Sequence, residues 1–162
     1  MEGYITKDYI TWVLLSQTRN ALLKARDKEL RQYGITAVQA AVLCWIQAIG
    51  NSATPAEISR CMLREPHTIS RLVDRMVRKG LLSKTKDLER RNLVRVSLTE
   101  KGRQAYYHST KVKSVHKVVS CLSEEEREQM NLCLKKLRTA QLKELGVKCK
   151  LAYLKHLMKS NI

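Results

Sequence analysis

The stretch TPAEISRCMLREPHTISRLVDRMVRKGLLSKTKDLERRNLVRVSLTEKG, residues 54–102, decides the fold. It opens on Thr54-Pro55-Ala56-Glu57, in which Thr54 suits a helix N-cap, Pro55 the first turn and Glu57 the reciprocal capping position. A short helix, AEISRCM, follows; a second proline, Pro66, then opens HTISRLVDRMVRK, which ends at Gly80. Ile69, Leu72, Val73, Met76 and Val77 make one apolar stripe, and Thr68, Ser70, Arg71, Arg75 and Arg78 lie largely off it. Two short helices with a tight connection, the second carrying small polar residues and arginine near its start, form a helix-turn-helix pattern. The period then changes. Leu81–Thr85 and Leu93–Leu98 partly alternate apolar and polar residues, which predicts two short strands around a charged tip, Lys86–Asn92. A helix-turn-helix followed directly by a charged hairpin is a winged helix-turn-helix.

Outward from this stretch the chain is helical. Residues 5–33 carry Ile5, Tyr9, Trp12, Val13, Leu22, Leu23 and Leu30 mostly at helical spacing, and Gly34 is placed to end that helix. Thr36-Ala37-Val38-Gln39 is a T-x-x-Q capping box opening the nearly all-apolar AAVLCWIQAI, which predicts a central core helix closed by Gly50-Asn51-Ser52. Thr99 is expected to cap a long helix through about residue 120, and Ser123-Glu124-Glu125-Glu126 to start another running to about Leu145. The fold class is mainly α with a small β-hairpin wing. The tail KCKLAYLKHLMKSNI is basic, with Leu151, Leu154, Leu157 and Met158 on one side; Lys148, Lys150, Lys155 and Lys159 have no role that the winged helix requires.

Composition sets the partner class. The 162 residues suit one domain, with or without an added element. A hydrophobic fraction of 44% and a charged fraction of 28% are those of a folded chain rather than a disordered one. The 31 Lys+Arg against 15 Asp+Glu give a net charge of +16, which at this size implies a polyanion, most often nucleic acid. No uncharged apolar run approaches the ~18–20 residues that span a bilayer, and the N-terminus lacks an apolar signal core, so no membrane partner and a cytoplasmic location are expected. Cys44, Cys61, Cys121, Cys133 and Cys149 include no C-x-x-C pair, which argues against a disulfide framework or structural zinc. His108 and His116 share a helix but not i, i+4 spacing. Gly-rich phosphate loops, G-x-S-x-G, H-E-x-x-H and a convincing carboxylate pair are all missing from the sequence, so no catalytic residue, metal or cofactor is assigned and the chain is not expected to be an enzyme.

At this point the sequence resembles the MarR family of bacterial transcriptional regulators, over roughly residues 5–145 in element order. The sharpest match is the wing, DLERRNLVRVSLTEKG, which resembles the family's D-x-R…V-x-L-T-x-x-G signature with Asp87, Arg90, Arg91, Val96, Leu98, Thr99 and Gly102 in place. The tip is one residue longer than the commonest form, and Glu89 stands where Asp is more usual, so either Arg90 or Arg91 is the wing-tip arginine. TISRLVDRMVRKGLL resembles the family's recognition helix. The resemblance implies a single MarR-like domain over 1–162. Within it, 36–99 form the DNA-binding lobe, 1–33 and 100–145 the dimerisation helices, and 146–162 a basic extension. It further implies a homodimer with intertwined terminal helices, bound to a pseudo-palindromic double-stranded DNA operator. The usual mode is repression, relieved by a small-molecule effector or by thiol oxidation. The family's peroxide sensors use a cysteine near the N-terminus, and this chain has none before Cys44.

The residue types fit DNA chemistry. N-terminal residues of a groove-entering helix reach base edges, here Pro66, His67, Thr68, Ser70 and Arg71, with Arg75 one turn further. Arg90 and Arg91 suit a narrow minor groove, Lys86 flanks them, and Asp87 is placed to orient a wing arginine. Arg60, Arg64, Lys84, Lys86 and Arg95 are candidate phosphate partners, setting affinity and salt dependence. Asp74 is placed either to orient an arginine or to pair with Arg78 at i, i+4. Tyr4, Ile5, Tyr9 and Trp12 at one end, and Leu132, Leu137, Leu142 and Leu145 at the other, are the dimer candidates. An effector pocket is expected between the dimer helices and the DNA-binding lobe, with Trp12 and Trp45 as candidate aromatics there, although a tryptophan on an apolar stripe is more often core. The alternative to a sequence-specific regulator is a non-sequence-specific architectural nucleic-acid-binding protein, which the charge alone fits equally well.

Overall fold

Reciprocal capping boxes set where three of the helices begin. Thr36 N–H donates to Gln39 Oε1 at 3.0 Å and Gln39 N–H returns to Thr36 Oγ1 at 3.2 Å. Thr54 and Glu57 do the same at 2.8 and 3.2 Å, and Ser123 and Glu126 at 2.8 and 3.2 Å. Each box satisfies N–H groups that a helix start leaves without partners. The computed structural model describes residues 6–87 and 93–147. They form α1 (Lys7–Leu30) with a 3-10 turn at Arg31–Tyr33, α2 (Ala37–Ile49), α3 (Pro55–Met62) and α4 (Pro66–Arg78). After these come β1 (Leu82–Lys86), β2 (Val94–Leu98), α5 (Glu100–Ser109), α6 (Lys113–Val119) and α7 (Glu124–Glu144).

The core sits under the helix-turn-helix. α2 buries Ala37, Ala40, Val42, Leu43 and Ile46, and its buried Gln39 is satisfied by the capping box. Ile58 of α3, Ile69, Val73 and Met76 of α4, and Val96 and Leu98 of β2 pack with them. Each such side chain withdrawn from water contributes about 1.5–3 kcal/mol. β1 and β2 pair antiparallel with Leu82 opposite Leu98 and Lys86 opposite Val94. Ala53 adds a bridge to Val96, exchanging bonds of 3.0 and 2.7 Å, so the base of the hairpin is held from the α2–α3 connection.

The L-T-x-x-G part of the wing signature has a structural cause. Thr99 Oγ1 donates to the Gly80 carbonyl at 2.6 Å and accepts the Gly102 N–H at 3.0 Å. A Cβ on Gly102 would lie 2.0 Å from the Leu81 carbonyl oxygen, so only glycine lets α5 start against the end of the recognition-helix turn.

One element departs from the sequence expectation. The single helix expected from Thr99 to about residue 120 is two, α5 and α6, broken at Thr110–Val112, with Val112 in the left-handed region at φ 38°. The break is made from outside the segment. Arg26 NH2 donates to the Ser109 carbonyl at 2.6 Å, and Lys113 N–H and Ser114 N–H both donate to the Glu29 carboxylate at 3.0 Å. Glu29 thus caps α6 from α1. The tail from 148, the wing tip 88–92, and Tyr4 and Ile5 lie outside the described residues.

Candidate nucleic-acid interface

α4 is about 20 Å long at 1.5 Å per residue, a length that an α-helix lying in the major groove can present. Its buried stripe, Ile69, Leu72, Val73 and Met76, faces the core. The opposite face carries His67, Arg71, Asp74 and Arg78 at i, i+4, i+7 and i+11, beside exposed Pro66, Ser70 and Arg75 and half-buried Thr68. The turn before it is closed by the buried Ser59, whose Oγ donates to the Arg64 carbonyl at 2.6 Å. Leu63 takes the left-handed conformation there at φ 51°. This clamp, unmarked by any glycine, was not legible in the sequence.

An ion pair joins the wing to this helix, and another lies within the wing. Lys84 Nζ of β1 donates to Asp74 Oδ1. That hydrogen bond, reinforced by the charges of Lys84 and Arg78, holds the Asp74 carboxyl below the usual carboxylate range. Asp87, largely buried, accepts from Arg95 Nε at 2.8 Å, and Arg95 also reaches the Ser52 carbonyl at 3.4 Å. The structure therefore pairs Asp74 with Lys84, a partner ten residues away on a strand, and pairs Asp87 with Arg95. Lys86 is exposed at the end of β1, Arg60 is exposed on α3 and Arg64 is half-buried after it. Arg90 and Arg91 lie outside the described residues.

Behind α4 an open groove of about 580 Å³ runs between the start of α2 and the helix-turn-helix. Val38 and Leu72 floor it, and Arg64, Arg75, Lys79 and Asp27 line it. Asp27 also caps α2, accepting the Ala37 N–H at 2.7 Å.

Other candidates separate by exposure. Trp45 is half-buried, but Trp12 is 62% exposed, which takes it out of the core of this chain and leaves it on the face named for a partner surface. Tyr9, Leu132, Leu137 and Leu145 are also exposed, whereas Leu142 is buried within the chain. Cys61 is buried and burial pushes the Cys44 thiol up, whereas Cys121 and Cys133 are exposed. Among the described residues no group of three or more His, Cys, Asp or Glu could hold a metal ion. No single described helix is long and apolar enough to cross a membrane.

Helix-turn-helix, outward-facing basic helix and adjoining hairpin define a winged-helix DNA-binding protein. Residues 33–91 match the model of the MarR family. The chain is 35% identical over 83 residues to an uncharacterized HTH-type transcriptional regulator, YsmB, of Bacillus subtilis (strain 168). That match covers 51% of this chain and 56% of the relative, little more than half its length. The fold superposes on the organohalide-sensing transcriptional regulator RdhR in its 2,4-dichlorophenol-bound form with a TM-score of 0.79 at 28% identity, covering 86% of this chain and 83% of that one. It superposes on the S. aureus MepR–DNA complex with a TM-score of 0.73 at 27% identity, covering 83% and 98%. A mutant MarR from E. coli complexed with operator DNA shares the fold, with a TM-score of 0.76 at 21% identity over 84% and 99%. The chain thus resembles the MarR family of transcription regulators in residues 33–91 and in its overall fold.

Proposed function

We propose that the protein is a homodimeric repressor of the MarR type that binds a pseudo-palindromic DNA operator and is released by a small-molecule effector. The observation that carries the DNA reading is the face of α4 opposite its buried stripe, with His67, Arg71 and Arg78 outward and the wing strands beside it. Pro66, His67, Thr68, Ser70, Arg71 and Arg75 enter the major groove, where arginine forks onto guanine. Lys86, Arg90 and Arg91 address the minor groove and its flanks, and Asp87 keeps the wing base in place through Arg95. Arg60 and Arg64 meet phosphate, and Lys84 supplies a further cation at the edge of that face.

The winged helix-turn-helix lobe is 36–99, the dimerisation helices are 1–33 and 100–145, and 146–162 is a basic extension. Dimerisation is supported by Tyr9, Trp12, Leu137 and Leu145, large apolar side chains exposed on α1 and α7. The groove floored by Val38 and Leu72 is the candidate effector site, because its walls include Thr68 and Arg75 of the recognition helix. A small acid or phenol seated there would move the helix that reads DNA.

Footprinting on the DNA flanking the protein's own coding region tests the whole reading. Two protected half-sites about one helical turn apart are expected. Equal affinity for that DNA and random DNA at matched salt would establish the architectural binder instead.

A further inference from the structure

Asp74 stands where a DNA-binding face should tolerate no acid. It lies at the centre of the stripe opposite the core, with Arg71 three residues before it, Arg78 four residues after it, and His67 two turns back. These residues line one open groove with Thr68 and Arg75. A carboxylate there repels phosphate, and its ionised form is the favoured one, since Lys84 and Arg78 stabilise the charge. The only partners on duplex DNA that reward it are the exocyclic amino groups in the major groove, of which cytosine N4 is the usual mate of an acid.

We propose that Asp74 is a specificity-determining residue that accepts a hydrogen bond from a cytosine N4 amino group, with Lys84 as its positioning residue. Lys84 Nζ, reaching from β1, takes Oδ1 and so fixes the rotamer of the side chain and screens it from the flanking phosphates. Oδ2 is then left as the acceptor for a base amino group. The pair also makes the reading helix and the wing strand share one contact, so the acid is presented only when the wing is seated. Against arbitrary sequence the same carboxylate is a penalty, because a thymine O4 or guanine O6 in that place offers a second acceptor.

This rests on the DNA-binding reading, and the experiment separates the two. A duplex is selected from a random pool with the wild-type protein, and its affinity and that of a random duplex are measured across salt for wild type, Asp74→Asn and Lys84→Met. Failure of the wild type to select or bind any duplex would sink the DNA reading itself. Given wild-type selection, Asp74→Asn is expected to bind random DNA more tightly, with a salt slope steeper by roughly 0.9 as Lys84 is released onto phosphate. Its preference for the selected duplex should fall at least about fivefold, the lower end for one lost base contact. A second selection with Asp74→Asn should leave one C·G pair per half-site no longer fixed. Lys84→Met should weaken both duplexes and, with the carboxylate no longer held in one rotamer, partly relax the preference for the C·G pair. If Asp74→Asn shifts both duplexes by the same factor and selects the same sites, the proposal is wrong; if Lys84→Met leaves the C·G preference at its wild-type value, Lys84 is not the positioning residue.

Discussion

The Glu29 carboxylate accepts the Ser114 N–H at 3.0 Å across a separation of 85 residues, so the last turns of α1 supply the N-cap that α6 lacks. Burial raises the Glu29 pKa, but the Ser114 side-chain and backbone hydrogen bonds and the Arg26 contact outweigh it and hold the group at about 2, against 4.5 when free. The folded value is the lower one. The group's stabilisation is therefore complete above about pH 4.5 and is lost as pH falls toward 2. At 1.36 kcal/mol per unit the pair of values corresponds to an upper bound of about 3 kcal/mol. Denaturant melts of wild type and Glu29→Gln at pH 7 and pH 3 should converge as the pH drops. A difference that stays constant between the two pH values would remove Glu29 from the account of acid sensitivity.

Gly102 makes a sharper prediction. Alanine would place a methyl 2.0 Å from a backbone carbonyl that cannot swing aside, since Leu81 is pinned between Met76 and Thr99 by backbone hydrogen bonds of 3.0 and 3.2 Å. Gly102→Ala should lower stability by about 1–3 kcal/mol or more, the range of overpacking in a closed site. The melt should show this although alanine is the better helix former by about 1 kcal/mol. A stability unchanged or raised would mean that α5 can retreat from the turn.

What was legible in the sequence is what is local. The boxes at Thr36, Thr54 and Ser123 each close over three residues, so the motif and the bond are the same thing. The recognition helix and β2 follow from period, because one face of each meets the core, whereas β1 buries only its first residue, Leu82. The break at Thr110–Val112 was not legible, since the groups that make it, Arg26 and Glu29, are more than 80 residues away. The Asp74–Lys84 pair escaped for a related reason, since hairpin and helix must first be placed before that acid has a choice of partner, whereas Asp87 pairs with an arginine of the wing, Arg95, as its position suggested. Trp12 shows the limit of an apolar stripe, which demands a covering surface without saying whose.

Arg71 is exposed near the start of α4 on the outward stripe, so truncating it leaves the core intact. Arg71→Ala should cost about 1–3 kcal/mol on the selected operator and relax preference at one base pair of each half-site. Wing substitutions Arg90→Ala and Arg91→Ala should instead weaken binding with a smaller salt slope, by about one phosphate charge or less each. Anisotropy titrations at several salt concentrations distinguish the patterns. If both wing changes leave affinity and slope untouched, the hairpin is not a DNA-binding wing.

The last prediction concerns the uncovered face of α7. Met130, Leu134, Leu137 and Leu145 are all exposed and recur at spacings that place them along one side of the helix. A second copy that covers this side about a two-fold axis makes each residue count twice, because the same patch is used on both subunits. Burying a leucine contributes about 1.5–3 kcal/mol, so Leu137→Glu removes at least twice that, roughly a hundredfold to ten-thousandfold in the dimer constant. The substitution touches no buried position of the chain itself, so the far-ultraviolet dichroism and the folding cooperativity should persist. Sedimentation should then report a dimer for wild type and a monomer for Leu137→Glu at micromolar concentration. Operator affinity should fall with it, since one winged module holds only one half-site. A wild type that sediments as a monomer, or a Leu137→Glu protein that remains dimeric and binds DNA unchanged, would leave α7 outside the interface.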